Sequence, residues 1–319
     1  MNLRQLKECG FKIVTKWQEC NKKTIFLFDN NNITKFVKYK NLAFKKKCKF
    51  IICNIRLKKN IKQNTIKFFF YQNQNDLNNI ANIFYDLNGL KIIFITGTNG
   101  KTSIAYGANR LFNINKFKSC YIGTLGFYIN TKKIKKLNNT TPSYFETLNL
   151  LQKAKNSHVK YVFMEVSSIG YCEGRIGDLM YDYIILTNLE SDHLDYHKNL
   201  KNYHSAKLNI IKKHKSKRSI LFLQDNNLKD KFKSFNSRLI IQNNFLSKYK
   251  ISIDKKNFNK YLISANKMSY KINSFNDFMI KNIITIMMVF NKIFKKLPPN
   301  INKSLFPPGR SEIIHNKKN

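Results

Sequence analysis

At 319 residues, 43% of them hydrophobic and 13% aromatic, the chain holds enough apolar material for one large domain or two ordinary ones, which excludes a disordered tail and a small disulfide scaffold. Its 58 Lys and Arg against 18 Asp and Glu give a formal net charge of +40, a balance that raises nucleic acid or an anionic surface as a partner. The excess is lysine spread along the whole chain beside abundant Asn, Ile, Phe and Tyr, residue types that share A/T-rich codons, so codon bias accounts for the charge and nucleic acid is not the expected partner.

Residues 1–88 carry short apolar runs at Thr24–Phe28, Phe50–Cys53 and Ile66–Tyr71, separated by Lys/Asn stretches, and read as a small α/β unit. Asp76–Tyr85 places Leu77, Ile80, Ala81, Phe84 and Tyr85 at a helical period, and Asn88-Gly89 supplies the stop, so a domain boundary is expected near 88. From Lys91 onward, apolar strands alternate with helical segments. That is the pattern of a mostly parallel sheet flanked by helices, hence an α/β fold over 89–306. Strands are expected at Ile92–Thr96, Ser119–Gly123, Tyr161–Glu165, Tyr183–Thr187 and Ile220–Leu223, with helices at Lys101–Phe112, Tyr144–Asn156 and Leu200–Lys213. Further strands are expected at Leu239–Gln242, Lys250–Ile253 and Tyr261–Ser264, before an apolar helix from Phe278 to Phe294.

The cysteines at 9, 20, 48, 53, 120 and 172 form no Cys-x-x-Cys pair and no zinc spacing, and read as isolated reduced thiols of a cytoplasmic protein. The longest apolar run, Ile283–Phe290, is far shorter than the roughly eighteen residues of a membrane span. The opening Met1–Lys12 lacks the apolar core of a secretory signal, and without a spanning run no membrane partner is expected.

The sharpest motif is the apolar strand running through Ile92–Thr96 into Gly97-Thr98-Asn99-Gly100-Lys101-Thr102-Ser103 and a helix. Two glycines let backbone N–H groups curl around an anion, the helix N-terminus adds its positive end, Lys101 reaches outer phosphates, and Thr102 offers a hydroxyl to Mg2+. A phosphate-bearing ligand with Mg2+ is what such a loop is expected to hold. A generic phosphate loop would have glycine at position 95, where this chain has Ile95.

The string GTNGKT after an apolar strand resembles the ATP-binding loop of the Mur ligases. Thr140-Thr141-Pro142, Met164-Glu165-Val166-Ser167-Ser168, Arg175, Thr187-Asn188-Leu189-Glu190-Ser191-Asp192-His193-Leu194-Asp195-Tyr196-His197 and Ser205-Ala206-Lys207 follow in the family's order. Together they are similar to the branch that adds the third amino acid, diaminopimelate or lysine, to UDP-N-acetylmuramoyl-L-alanyl-D-glutamate. The resemblance is dense over about 89–213. It implies an ATP-dependent amide ligase of peptidoglycan precursor synthesis, working through an acyl phosphate in the cytoplasm. Lys101, His193 and Lys207 are then the catalytic candidates. Thr102, Glu165, His193 and Lys207 would hold Mg2+, Lys207 after reaction with CO2 to a carbamate. Asn139, Thr140, Thr141, Ser167 and Arg175 would face the UDP-sugar dipeptide.

The chain also departs from that family. Ile169 and Glu173 replace a usual His and Gln, Phe278-Met279-Ile280-Lys281-Asn282 lacks the first Asn of the adenine-side string, and the first 88 residues lack the Asp-Ser-Arg of a uridine-binding unit, leaving Thr24–Asp29 as its remnant. Gly309-Arg310-Ser311-Glu312 resembles the opening of the family's third domain, and 307–319 is therefore expected to be its stub. The chain is expected to be incomplete alone, and four explanations stay open: a decaying gene, a split enzyme whose amine-selecting domain is a separately encoded partner, a minimal ATPase with another role, and a fragment of a longer protein. The alternative, from another class, is a nucleotide-regulated basic protein that holds nucleic acid or an anionic surface.

Overall fold

The computed structural model describes residues 1–61, 65–257, 260–265, 268–273, 277–301, 305 and 307; the Gly309–Glu312 string and nearly all of the expected stub lie outside them. The described residues form two compact units. Unit 1 comprises Met1–Asn88, Ser143–Lys153 and Gly174–Asp178, and unit 2 the remainder.

Unit 1 is built on a four-stranded parallel sheet in the order β1 (Lys12–Val14), β2 (Thr24–Phe28), β3 (Phe50–Asn54) and β4 (Lys67–Tyr71). Its helices in chain order are α1 (Leu3–Glu8), α2 (Ile33–Lys45) and α3 (Gln74–Phe84). Every residue of β2 is buried, which is why the Thr24–Phe28 run has no polar alternation. Helix α2 was not expected from its Lys/Asn-rich sequence. Phe36, Lys40 and Ala43 form its buried stripe, so one of three core-facing positions is a lysine whose stem covers apolar surface and hides the period. At α3, Asn73 accepts from the Asn75 and Asp76 amides while the Asp76 carboxylate accepts from the Asn73 amide, a reciprocal cap. Asn73→Ala is expected to lower the stability of unit 1 by about 1 kcal/mol. Denaturant titration of the variant would check it; an unchanged midpoint would show that the cap contributes nothing.

Unit 2 is organised around an eight-stranded sheet. In chain order its elements are β5 (Lys91–Thr96), α4 (Lys101–Ile114), β6 (Ser119–Gly123), β7 (Gly126–Ile129), β8 (Lys132–Lys135), the last three residues of α5 (Tyr144–Asn156, which otherwise belongs to unit 1), β9 (Tyr161–Glu165), α6 (Ser168–Cys172), β10 (Tyr181–Leu186), α7 (Leu194–His197), α8 (Leu200–Lys213), β11 (Lys215–Leu223) and β12 (Leu239–Ile241). The spatial order is β12-β11-β10-β5-β9-β6-β7-β8, parallel from β12 to β6 and antiparallel beyond. Short α9 (Gln242–Lys248), a three-stranded antiparallel sheet of β13 (Ser252–Asn257), β14 (Lys260–Ala265) and β15 (Met268–Asn273), and the long α10 (Asp277–Phe294) complete it.

Ile93, Ile95, Ile104, Phe112, Phe163, Ile185 and Phe290 share one core in which α4 and α10 cover a face of the large sheet. The alternate strand residues Phe94 and Ile184 point to the opposite face and are also fully buried. Both faces being covered explains the continuous apolar runs. Several expected strand bounds are corrected: that placed at Tyr183–Thr187 runs over Tyr181–Leu186, and that placed at Ile220–Leu223 over Lys215–Leu223. The strand placed at Lys250–Ile253 begins at Ser252, because Lys250, at φ +47°, follows helix α9 in a left-handed turn. The strand placed at Leu239–Gln242 stops at Ile241, because Gln242 starts that helix.

The strand order fixes where a ligand fits. The connection from β5 crosses to β6, with β9 inserted between them, while β10 lies on the other side of β5. The chain reverses its direction of winding at β5, and open α/β sheets bind ligands outside the carboxyl ends of strands at such a point.

Candidate active site

Loop Gly97–Gly100 leaves the carboxyl end of β5 and enters α4 at Lys101. Gly97 lies at φ +141°, and a Cβ there would sit 1.8 Å from Thr187 Oγ1, so both conformation and space demand glycine. Gly100, at φ +84°, is the left-handed N-cap of α4. The loop is held from the end of β10. Asn188 Oδ1 accepts from the amides of Thr98 and Asn99 at 3.1 and 2.9 Å, and Thr187 Oγ1 donates to the Asn99 carbonyl at 2.6 Å. Asn99 Nδ2 donates to Glu190 Oε2 at 2.8 Å.

A cavity of about 280 Å3 opens at this edge. Thr98, Asn99, Gly100, Lys101 and Thr102 line it from the loop, and Thr124, Thr140, Glu165, Ser167, Ser168, His193 and Lys207 from the neighbouring strand ends and helices. Lys101 Nζ donates to the carbonyls of Gly97 at 2.9 Å and Thr98 at 2.8 Å. Glu165 ends β9 with 0% exposure. Its Oε2 accepts from Thr102 Oγ1 at 2.9 Å and Thr124 Oγ1 at 3.3 Å, and its Oε1 from the Thr124 amide at 3.0 Å and from the Tyr121 hydroxyl.

Lys207, on α8, is 1% exposed. Its Nζ donates to the Gly97 carbonyl at 2.8 Å and lies 4.5 Å from the Tyr203 ring centroid. Burial, and after it the Lys101 cation, push its ammonium down to about 7, against an opposing pull from Asp192. His193 is exposed, at φ +50°, with its Nε2 3.4 Å from Asp192 Oδ2.

The remaining sequence candidates are placed differently. Gly97 acts through its backbone, since its carbonyl accepts from both lysines. Ser103 is 4% exposed inside α4, and Asn139 is exposed at the surface. Thr141, 0% exposed, braces the strand end by donating to the Glu165 carbonyl at 3.2 Å and accepting from the Ser167 amide at 2.9 Å. Arg175 belongs to unit 1. Residues to which sequence reasoning gave no role are Thr124, Tyr121, Asn188 and Tyr203. Thr124 was open to inference, because it follows the glycine that ends β6 at the carboxyl edge; the other three depend on packing between elements.

Among the described residues no three His, Cys, Asp or Glu side chains group into a metal site. The donor set still suits Mg2+, which takes one or two protein carboxylates or hydroxyls and completes its shell with phosphate oxygens and water; Glu165 and Thr102 meet that need.

The Mur ligase middle domain family matches residues 95–290, more than half of the chain. The chain belongs to the Mur ligase family. Among curated relatives, it is 39% identical over 193 residues to the UDP-N-acetylmuramoyl-L-alanyl-D-glutamate--2,6-diaminopimelate ligase of Buchnera aphidicola subsp. Acyrthosiphon pisum, covering 57% of this chain and 38% of the relative. The ligase of the same name from Wigglesworthia glossinidia brevipalpis is 30% identical over 266 residues, 78% of this chain and 53% of the relative. The chain thus spans about a quarter to a half of the length of the curated relatives it matches. A solved structure of a ligase of this name superposes with a TM-score of 0.65 at 18% identity, covering 96% of this chain and 65% of that one. A MurF ligase from Thermotoga maritima in complex with ADP gives 0.62 at 14% identity, covering 93% of this chain and 65% of that one. These structures share the Mur ligase fold. Phe278 and Asn282 of α10 stand 3.2 and 3.1 Å from where a Gly100 Cβ would be, so the segment that resembles the family's adenine-side string lies against the loop. Among the described residues no helix is long and apolar enough to cross a membrane.

Proposed function

We propose that this Mur ligase chain binds ATP and activates a carboxylate for amide formation in peptidoglycan precursor synthesis, acting in the cytoplasm on UDP-N-acetylmuramoyl-L-alanyl-D-glutamate with diaminopimelate as the incoming amino acid. The observation that carries this reading is the convergence of the Gly97–Thr102 loop, Glu165 and Lys207 on one cavity. The relatives' names favour diaminopimelate over lysine. Residues 1–88 are the proposed substrate-nucleotide side and 89–306 the ATP side.

In the first step a substrate carboxylate oxygen bonds to the terminal phosphorus of ATP, the bridging P–O bond breaks, and ADP leaves. In the second the amine nitrogen bonds to the acyl carbon, phosphate departs, and the nitrogen loses a proton. Several anionic groups meet in the first step, so fixed cations must offset their repulsion. Lys101 is placed to turn from the loop carbonyls to the phosphates, and the α4 N-terminus adds its dipole. Magnesium, held by Glu165 and Thr102 with His193 and a carbamylated Lys207, would supply further neutralisation of phosphate charge. Thr140 and Ser167 offer hydroxyls at the cavity wall, and with Asn139, Thr141 and Arg175 they are the proposed substrate contacts.

The test is calorimetric titration with a non-hydrolysable ATP analogue, followed by phosphate release with and without the UDP-muramoyl dipeptide. Binding that requires Mg2+, and slow ADP formation that requires the dipeptide, are expected. Absence of nucleotide binding, or turnover indifferent to the dipeptide, would overturn the assignment.

A further inference from the structure

The carboxylate of Glu165 is held more tightly on one side than on the other. Tyr121, 0% exposed on β6, lies one strand away from Glu165, its backbone in register with Phe163. Its hydroxyl donates to Glu165 Oε1 at 2.5 Å and accepts from the Leu125 amide at 3.1 Å. Edge-on contacts from Tyr106 and Tyr128, at centroid distances of 5.8 and 5.7 Å, fix the Tyr121 ring. The chain also leaves space for this bond: a Cβ on Gly123 would fall 2.1 Å from Glu165 Oε1 and 2.6 Å from the Tyr121 hydroxyl. Oε2, by contrast, meets only hydroxyls, those of Thr102 and Thr124, and both residues line the cavity.

We infer that Tyr121 is a positioning residue which, with the Thr124 amide, locks Oε1 and so presents Oε2 alone to a divalent cation, making Glu165 a one-oxygen ligand. The inference rests on the proposed role of Glu165 as a metal ligand. Hydroxyl donors can rotate away from Oε2 when a cation arrives. The Tyr121 hydroxyl, held between Leu125 N and Oε1 by a packed ring, has no such freedom. Removing it leaves the carboxylate to be ordered at the moment of binding, and loss of a group that orients a metal ligand typically weakens metal affinity by about 10- to 100-fold.

The experiment is Mn2+ titration of the purified chain with ADP, read by electron paramagnetic resonance, beside ADP affinity at saturating Mn2+ and the thermal midpoint. Tyr121→Phe keeps the ring and is expected to raise the half-saturating Mn2+ concentration about tenfold while leaving ADP affinity at saturating metal unchanged. Tyr128→Phe, a ring neighbour with no bond to Glu165, should change neither. Gly123→Ala, which presses a methyl group between phenol and carboxylate, should reproduce the loss and serves if Tyr121→Phe does not fold. Glu165→Gln separates the two levels of the argument. If it leaves Mn2+ affinity unmoved, the metal role of Glu165 fails; if it abolishes Mn2+ binding while Tyr121→Phe and Gly123→Ala stay within about twofold of the native chain, the positioning role of Tyr121 alone is overturned.

Discussion

Lys101→Ala is expected to weaken ATP and ADP binding by at least about a hundredfold and to leave the thermal midpoint nearly unchanged. The side chain is only half-buried, and its amine bonds to carbonyls of its own loop, so the fold loses little when it is removed. A bound nucleotide loses a full cation. One unit charge about 4 Å from another contributes roughly 4 kcal/mol at the effective dielectric of a protein surface, and a hundredfold loss corresponds to about 2.7 kcal/mol, so the expectation leaves room for solvent screening. Calorimetry with ADP, with circular dichroism as the folding control, decides the matter. Native affinity in the variant would remove the phosphate role from the loop.

Lys207→Met, unlike Lys101→Ala, is expected to change stability, raising the thermal midpoint by about 5 °C near neutral pH, while it impairs the site. The amine titrates at about 7 in the fold against an ordinary value of 10.5. Between those two values the unfolded chain binds the extra proton, so the native protein gains stability as pH rises from about 7 towards 10.5, and the full cost of burying this group stands below about 7. Methionine fills similar space without a charge, and the climb in stability over that pH window should flatten. The same depression leaves a large neutral fraction near pH 7, and a neutral amine is what attacks CO2: the N–C bond forms, one proton leaves, and the product is an anion. With 13C-labelled CO2 at a fixed dissolved concentration, a carbamate resonance should grow from about pH 6 to 8 in the native chain and be absent from Lys207→Met. A native chain without that resonance, or a variant no more stable than the native chain, would return Lys207 to a structural role.

Much of unit 2 could be read from the sequence because its strands are buried on both faces. Ser119–Gly123 and Tyr161–Glu165 have the expected bounds, and so do helix Leu200–Lys213 and, mostly within unit 1, helix Tyr144–Asn156. Continuous apolar runs between turn residues leave little choice of register or length. The hairpin Gly126–Ile129 with Lys132–Lys135 was not legible, since one strand is mostly lysine and gains its pairing from the sheet edge it extends. At the site, the loop and Glu165 were legible because glycine spacing and strand ends have local causes. Tyr121 and Asn188 were not. Each matters through a partner at least 40 residues away, Glu165 in one case and the Thr98 and Asn99 amides in the other.

The interleaved course of the chain has a consequence for synthesis. Unit 1 draws on Ser143–Lys153 and Gly174–Asp178 as well as its first 88 residues, so a nascent polypeptide cannot complete it until residue 178 has left the ribosome. By then β5, α4, β6 and β9 have already emerged. Maturation is therefore not a vectorial, domain-by-domain process. The amino-terminal sheet, whose four strands all lie within residues 12–71, must wait for the two later segments of its unit while the phosphate-loop half of the molecule is being made.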